Sequence, residues 1–131
     1  MRLLGLAWAG AEQGVLREAA SELIAAQRAD GGWAQLKTLE SDAYATGQVL
    51  YALFQSRAVK TADEVYRLGT AYLLRTQAAD GTWHVKSRAI GFQPYFESGY
   101  PYGHDQWISA AGASWATLAL AVTREPALTK R

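Results

Sequence analysis

One short pattern, Gln-x-x-Asp-Gly-x-Trp, occurs twice in this chain, at Gln27–Trp33 and again at Gln77–Trp83. The repetition reaches further back than the motif. Val15 to Trp33 aligns with Val65 to Trp83 at an offset of 50, with eight of nineteen positions identical. A period of this size is the mark of stacked supersecondary units, in which each repeat needs its neighbour to bury its apolar face.

Each copy reads as a helix that ends in a tight turn. In the first, Val15, Leu16, Ala19, Leu23 and Ile24 recur at helical spacing, while Arg17, Glu18 and Glu22 favour solvent. Asp30-Gly31 and Asp80-Gly81 then supply turn chemistry, glycine accepting positive φ and aspartate bonding to nearby backbone. A second helix follows each turn. Ser41-Asp42 offers a cap for the first, and Asp105 or Ser109 for the second. These second helices carry few charges and many small residues, as a helix enclosed on most sides does, so they are expected to be inner and the charged ones outer. The expected elements are a short inner helix near 2–10, outer 12–28, inner 42–57, outer 62–78 and inner 105–123. The polar tail from Thr123, with Glu125-Pro126, is expected to end the last of them.

The outer helix, the Gln-to-Trp turn and the small-residue inner helix together resemble the QW repeats of squalene-hopene cyclases and their prenyltransferase-like relatives, over roughly residues 12–123. The resemblance implies an all-α fold. It would be a partial α/α toroid of two helix-hairpin repeats with about five main helices, residues 1–131 forming one incomplete domain. Repeat 1 would run from about 12 to 57. Repeat 2 would run from about 62 to 123 and carry an aromatic loop at 84–104. The resemblance also implies that Gln27 with Trp33, and Gln77 with Trp83, brace the end of an outer helix against the next helix. An amide that donates and accepts suits the orphan groups of a helix end, and indole adds a large rigid contact. A full toroid of this kind needs about six helix pairs, so under half a ring is expected here. Leu3, Leu4, Leu6 and Trp8 at one end and Leu118, Leu120 and Val122 at the other lack polar caps. Self-association, as a two-fold homodimer, is therefore expected, with a fragment of a longer ring as the alternative.

The two repeats differ in length. From tryptophan to inner helix the second has about 17 more residues, taking Leu53 as equivalent to Leu120. Five of the eleven residues from Phe92 to Tyr102 are aromatic, and two of the chain's three prolines lie there. Tyr95, Phe96, Tyr100, Tyr102 and Trp107 are the candidate lining of an apolar site, with His104 and Asp105 as its polar end. Under the resemblance such rings would face carbocations, which an aromatic face attracts. The alternative is a structural lid over the open part of the ring.

Catalytic signals are sparse. The Asp-x-Asp-Asp acid motif of such cyclases, the Asp-Asp-x-x-Asp magnesium motif and a zinc ligand set are all missing from the sequence. Asp42, His104 and Asp105 remain as candidates. Asp42 and Asp105 stand near helix starts, where the dipole favours the carboxylate form and capping is the competing role. His104 and Asp105 are neighbours on a helix and do not face one another. No cofactor and no metal is expected. Thirteen basic and twelve acidic residues are scattered without a stripe, which argues against nucleic acid as a partner. The absence of cysteine removes disulfides and fits a reducing, cytoplasmic setting. No apolar run reaches membrane-spanning length. The first eleven residues resemble a signal peptide faintly but are short for one, and an apolar helix entering the fold is expected. Three functions remain: a non-catalytic repeat domain that binds an apolar, isoprenoid-like molecule; a cyclase- or transferase-like enzyme completed by another subunit; and a protein-interaction module.

Overall fold

A computed structural model describes residues 2–91 and 94–123. Among these the chain is all-α: α1 (Arg2–Trp8), α2 (Gln13–Ala25), α3 (Ala43–Gln55), α4 (Glu64–Thr76) and α5 (Gln106–Ala121), the last entered through a 3-10 turn at Gly103–Asp105. Each lies inside its expected range, shortened by two to four residues where turns take over. The expected helix stop at Glu125-Pro126 and the aromatic Phe92 lie outside the described residues.

The burial pattern separates the helices into two rows. α3 buries eight of its thirteen residues, including Leu50, Ala52 and Leu53 at no exposure, because alanine, glycine and threonine let neighbours approach from several sides. α2 and α4 bury only a stripe each, Leu16, Ala19 and Ala20 on one and Tyr66, Gly69, Tyr72 and Leu73 on the other. Val15 and Ile24, expected on the buried face of α2, sit at its margins and are exposed. α1, α3 and α5 form the inner row, with α2 and α4 outside it. α5 is inner by its contacts yet buries only five of sixteen residues, so one of its faces is open.

α3 and α5 run side by side in the same direction at very short range. A Cβ on Gly47 would meet the Trp115 carbonyl carbon at 2.5 Å and the Ala116 nitrogen at 2.6 Å, so only glycine allows this approach. The Tyr66 hydroxyl of α4 donates to the Ala119 carbonyl of α5 (3.1 Å), tying the outer row to the inner one.

The two turns are built alike, atom for atom. Trp33 Nε1–H donates to the Leu23 carbonyl (2.7 Å) and Trp83 Nε1–H to the Leu73 carbonyl (2.8 Å), and each ring is 2% exposed. Gln27 Nε2 donates to the Gly31 carbonyl and Gln77 Nε2 to the Gly81 carbonyl, both at 2.9 Å. Asp30 and Asp80 each accept from the backbone two residues on (2.9 and 3.0 Å). Gly31 and Gly81 take φ of 85° and 86°, where a side chain is strained. The indole N–H thus gives a last-turn carbonyl of each outer helix a donor, and the glutamine amide closes the turn on its glycine carbonyl.

Candidate functional site

Chemistry-bearing side chains gather where α3 and α5 begin. Ten residues carry the chain from Trp33 to the start of α3 at Ala43, but twenty-three from Trp83 to the start of α5 at Gln106, and α5 is three residues longer than α3. The insertion expected from sequence therefore falls mainly ahead of α5, as the aromatic loop.

The two aspartates at these helix starts have diverged. Asp42 is a cap: its Oδ1 accepts the Ala45 N–H (2.7 Å) and its Oδ2 accepts Gln35 Nε2 (2.8 Å). Gln35 in turn accepts from Arg88 of the loop. Asp105 occupies the corresponding place before α5 but makes no side-chain cap, which corrects the expected capping role. Its Oδ1 accepts the Ser87 N–H (2.8 Å) and its Oδ2 lies 2.6 Å from His84 Nε2. The Ser87 N–H, and then His84, hold the Asp105 carboxyl below the usual carboxylate range despite partial burial. An ionised carboxylate of this kind is a poor proton donor. His84 also stacks on Tyr102, ring centroids 4.6 Å apart and planes within 6°. Asp105 pairs with His84, whereas His104 lies against Tyr95 (ring centroids 4.6 Å apart).

Gln106 is the knot of the loop. It is fully buried, its Oε1 accepts from Ser98 N–H and Oγ, and its Nε2 donates to Tyr95 Oη (2.8 Å) and the Gly103 carbonyl (3.0 Å). Every hydrogen-bonding position of the amide is filled. Tyr95 Oη–H donates to Glu97 Oε2 (2.6 Å), and that bond raises the Tyr95 phenol above its ordinary value while lowering Glu97. Trp107 Nε1–H donates to the Phe96 carbonyl (3.1 Å).

Of the five aromatic candidates, three converge. Tyr95, Phe96 and Trp107 line one open cleft of about 850 Å³ together with Ile90, Pro94, His104 and Asp105. These apolar groups are 50%, 65% and 60% exposed, and Ile90 85%. A second cleft of about 870 Å³ lies between Leu36, Tyr44, Ile108 and Ala111, and meets the first at Ser87, Ala89, His104 and Trp107. Tyr100 is not in this wall; it borders a shallow groove along the open face of α5 with Ala113, Thr117 and Leu118. Tyr102 is not in it either. Its ring is used by His84, its hydroxyl by Thr82 Oγ1 (2.5 Å), and its φ is 84°. Asp42 lies apart, in a polar cleft of about 510 Å³ with His84, Lys86, Ser87 and Arg88.

His84, Ser87 and Gln106, and the Tyr44 wall of α3, were not singled out from sequence. A buried glutamine at the head of an otherwise apolar helix was a usable signal for Gln106. His84 had none, because its partner lies 21 residues on. Among the described residues no group of three or more His, Asp or Glu side chains is placed to hold a metal, and no helix is long and apolar enough to cross a membrane. No family model, curated protein or solved structure matches the chain.

Proposed function

We propose that this chain is a non-catalytic QW-type repeat domain, an arc of an α/α toroid, that binds an apolar, isoprenoid-like molecule at the α5 end of its inner row. The observation that carries this reading is the convergence of Tyr95, Phe96, Trp107 and Ile90 on one open cleft. Exposed apolar groups gathered in one place, with a few polar groups beside them, mark a binding site more often than an ordinary surface does. The loop that carries them is held by Gln106, so the wall is prepared before any ligand arrives. His104, bordering both clefts, would meet a hydroxyl or other polar end of the ligand.

Farnesol and squalene titrations, read by intrinsic tryptophan fluorescence, test this. Saturable binding that weakens at least about tenfold in Trp107→Ala and Phe96→Ala is expected, since each substitution removes a large apolar contact. Unchanged affinity in both folded variants would refute the cleft. A second reading, an enzyme completed by another subunit, draws on the His84–Asp105 pair at the mouth of α5. Formation of a cyclised or transferred product from squalene or a prenyl diphosphate would favour it over simple binding. Self-association belongs to the same proposal, because Trp8 and Leu118 at the two ends of the inner row are exposed.

A further inference from the structure

The polar groups around the two joined clefts are not equally occupied. In the Tyr95–Phe96–Trp107 cleft they have found partners within the protein. Tyr95 Oη accepts from Gln106 Nε2 (2.8 Å) and donates to Glu97 (2.6 Å), and Trp107 Nε1–H donates to the Phe96 carbonyl (3.1 Å). The Asp105 oxygens are taken by the Ser87 N–H (2.8 Å) and His84 (2.6 Å). Only on the border with the second cleft, at the His104 ring and the Ser87 hydroxyl, do side chains lack a hydrogen-bond partner among the described residues. Within the second cleft the Tyr44 hydroxyl is likewise unspent, and Arg88 brings a positive charge. Unspent polarity therefore rises in one direction, from the aromatic wall toward Arg88.

Arg88 is a cation without a counter-charge. The ion pairs among the described residues are Arg2–Glu22 and His84–Asp105, and neither involves it. Its guanidinium donates to Gln35 Oε1, a neutral acceptor, and Gln35 Nε2 in turn donates to Asp42 Oδ2 (2.8 Å). Asp42 thus meets Arg88 only through an amide. A guanidinium carries five N–H donors in a planar fork that matches a carboxylate edge to edge. An alcohol would leave its charge unanswered.

We propose, on the apolar-ligand reading above, that the ligand is an apolar chain ending in a single carboxylate, its tail in the aromatic cleft and its head on Arg88. A diphosphate head fits less well, because it asks for several cations or free N–H groups. The starts of α3 and α5 already carry the carboxylates of Asp42 and Asp105, and Lys86 lines neither of the joined clefts. One fork accepts one carboxylate.

Three probes with a common tail test this: farnesoic acid, farnesol and farnesyl diphosphate. Each is titrated into the full chain below its aggregation concentration and read by intrinsic tryptophan fluorescence, at about pH 8, where the acid is ionised. The acid should bind at least about tenfold tighter than the alcohol, and tighter than the diphosphate. Its advantage over the alcohol should shrink to within about twofold in Arg88→Gln, but persist in Lys86→Gln, which removes an equal charge outside both clefts. In the unaltered chain, raising the salt to about 1 M should narrow it as well. Circular dichroism checks that both variants are folded. If none of the three probes binds, the apolar-ligand reading and the head assignment fall together. Farnesol binding as tightly as the acid, or the diphosphate binding tightest, would overturn the head assignment alone. So would an advantage that survives Arg88→Gln, is lost equally in Lys86→Gln, or does not respond to salt.

Discussion

Replacing Gly47 with alanine tests the packing of the inner row, because two opposing effects are of known size. Alanine is the better helix former by about 1 kcal/mol. The added methyl would, however, sit 2.5 Å from the Trp115 carbonyl carbon, 2.6 Å from the Ala116 nitrogen and 2.8 Å from the Trp115 oxygen. Normal contact begins near ~3.5 Å, so α5 must withdraw by about 1 Å. All three neighbours are backbone, which a rotamer change cannot move. Withdrawal would also loosen Ala116 and Ala119, both fully buried, and the Tyr66–Ala119 bond. Overpacking costs about 1–3 kcal/mol, and a rigid neighbour places this site at the upper end. The net expectation is destabilisation by about 2 kcal/mol, or a fall in Tm of roughly 8 °C for a domain of this size. Gly14→Ala on α2 is the control. Nothing lies within 4 Å of its added methyl, so the same substitution should stabilise by up to about 1 kcal/mol. Urea unfolding followed by helical circular dichroism measures both, with the m-value checking that the unfolded state is unchanged. Equal stability of Gly47→Ala and the parent chain would refute the close approach of α3 and α5, as would shifts of the same sign in the two variants.

Two further predictions address the turns and the loop. Trp33→Phe and Trp83→Phe each leave one carbonyl, Leu23 or Leu73, without its indole donor in a nearly dry place. Each should cost about 1–3 kcal/mol in chemical unfolding, and the two losses should agree within about 1 kcal/mol. One neutral variant would mean that the repetition is not energetic. For Asp105, whose folded pKa is depressed by the Ser87 N–H and His84, the contribution is present above the unfolded carboxyl value and is lost as pH falls through the folded one. The protection of the Ser87 amide, taken relative to the intrinsic exchange rate at each pH, should therefore fall in acid, and Asp105→Asn should remove that acid limb. An unchanged limb in the variant would assign it to another group.

Much of the fold was legible because its signals are local. A helix period, a paired Asp-Gly turn and a charge-poor second helix are written within a few residues of one another, and they fixed element type, order and the Gln and Trp positions. The site was less legible. The aromatic loop was conspicuous by composition, but Tyr95, Phe96 and Trp107 converge while Tyr100 and Tyr102 turn elsewhere, and no spacing in the sequence separates these groups. Asp42 and Asp105 look like the same residue twice. One caps its helix, and the other is recruited by His84 and Ser87 once the loop folds back over the helix start.

The sequence alone determined the pieces: five helices, two matching turns, an inner and an outer kind of rod, and a long aromatic insertion. Periodicity and turn chemistry act between near neighbours, so they survive without any knowledge of the whole. Tertiary structure alone decided which partners the polar side chains found, that Gly47 admits the α5 backbone, and that α4 rests on the first turn while Gln77 and Gly81 of the second stay exposed. Those outcomes depend on contacts between residues far apart in the chain, where distance and shape choose among partners that sequence spacing leaves equivalent.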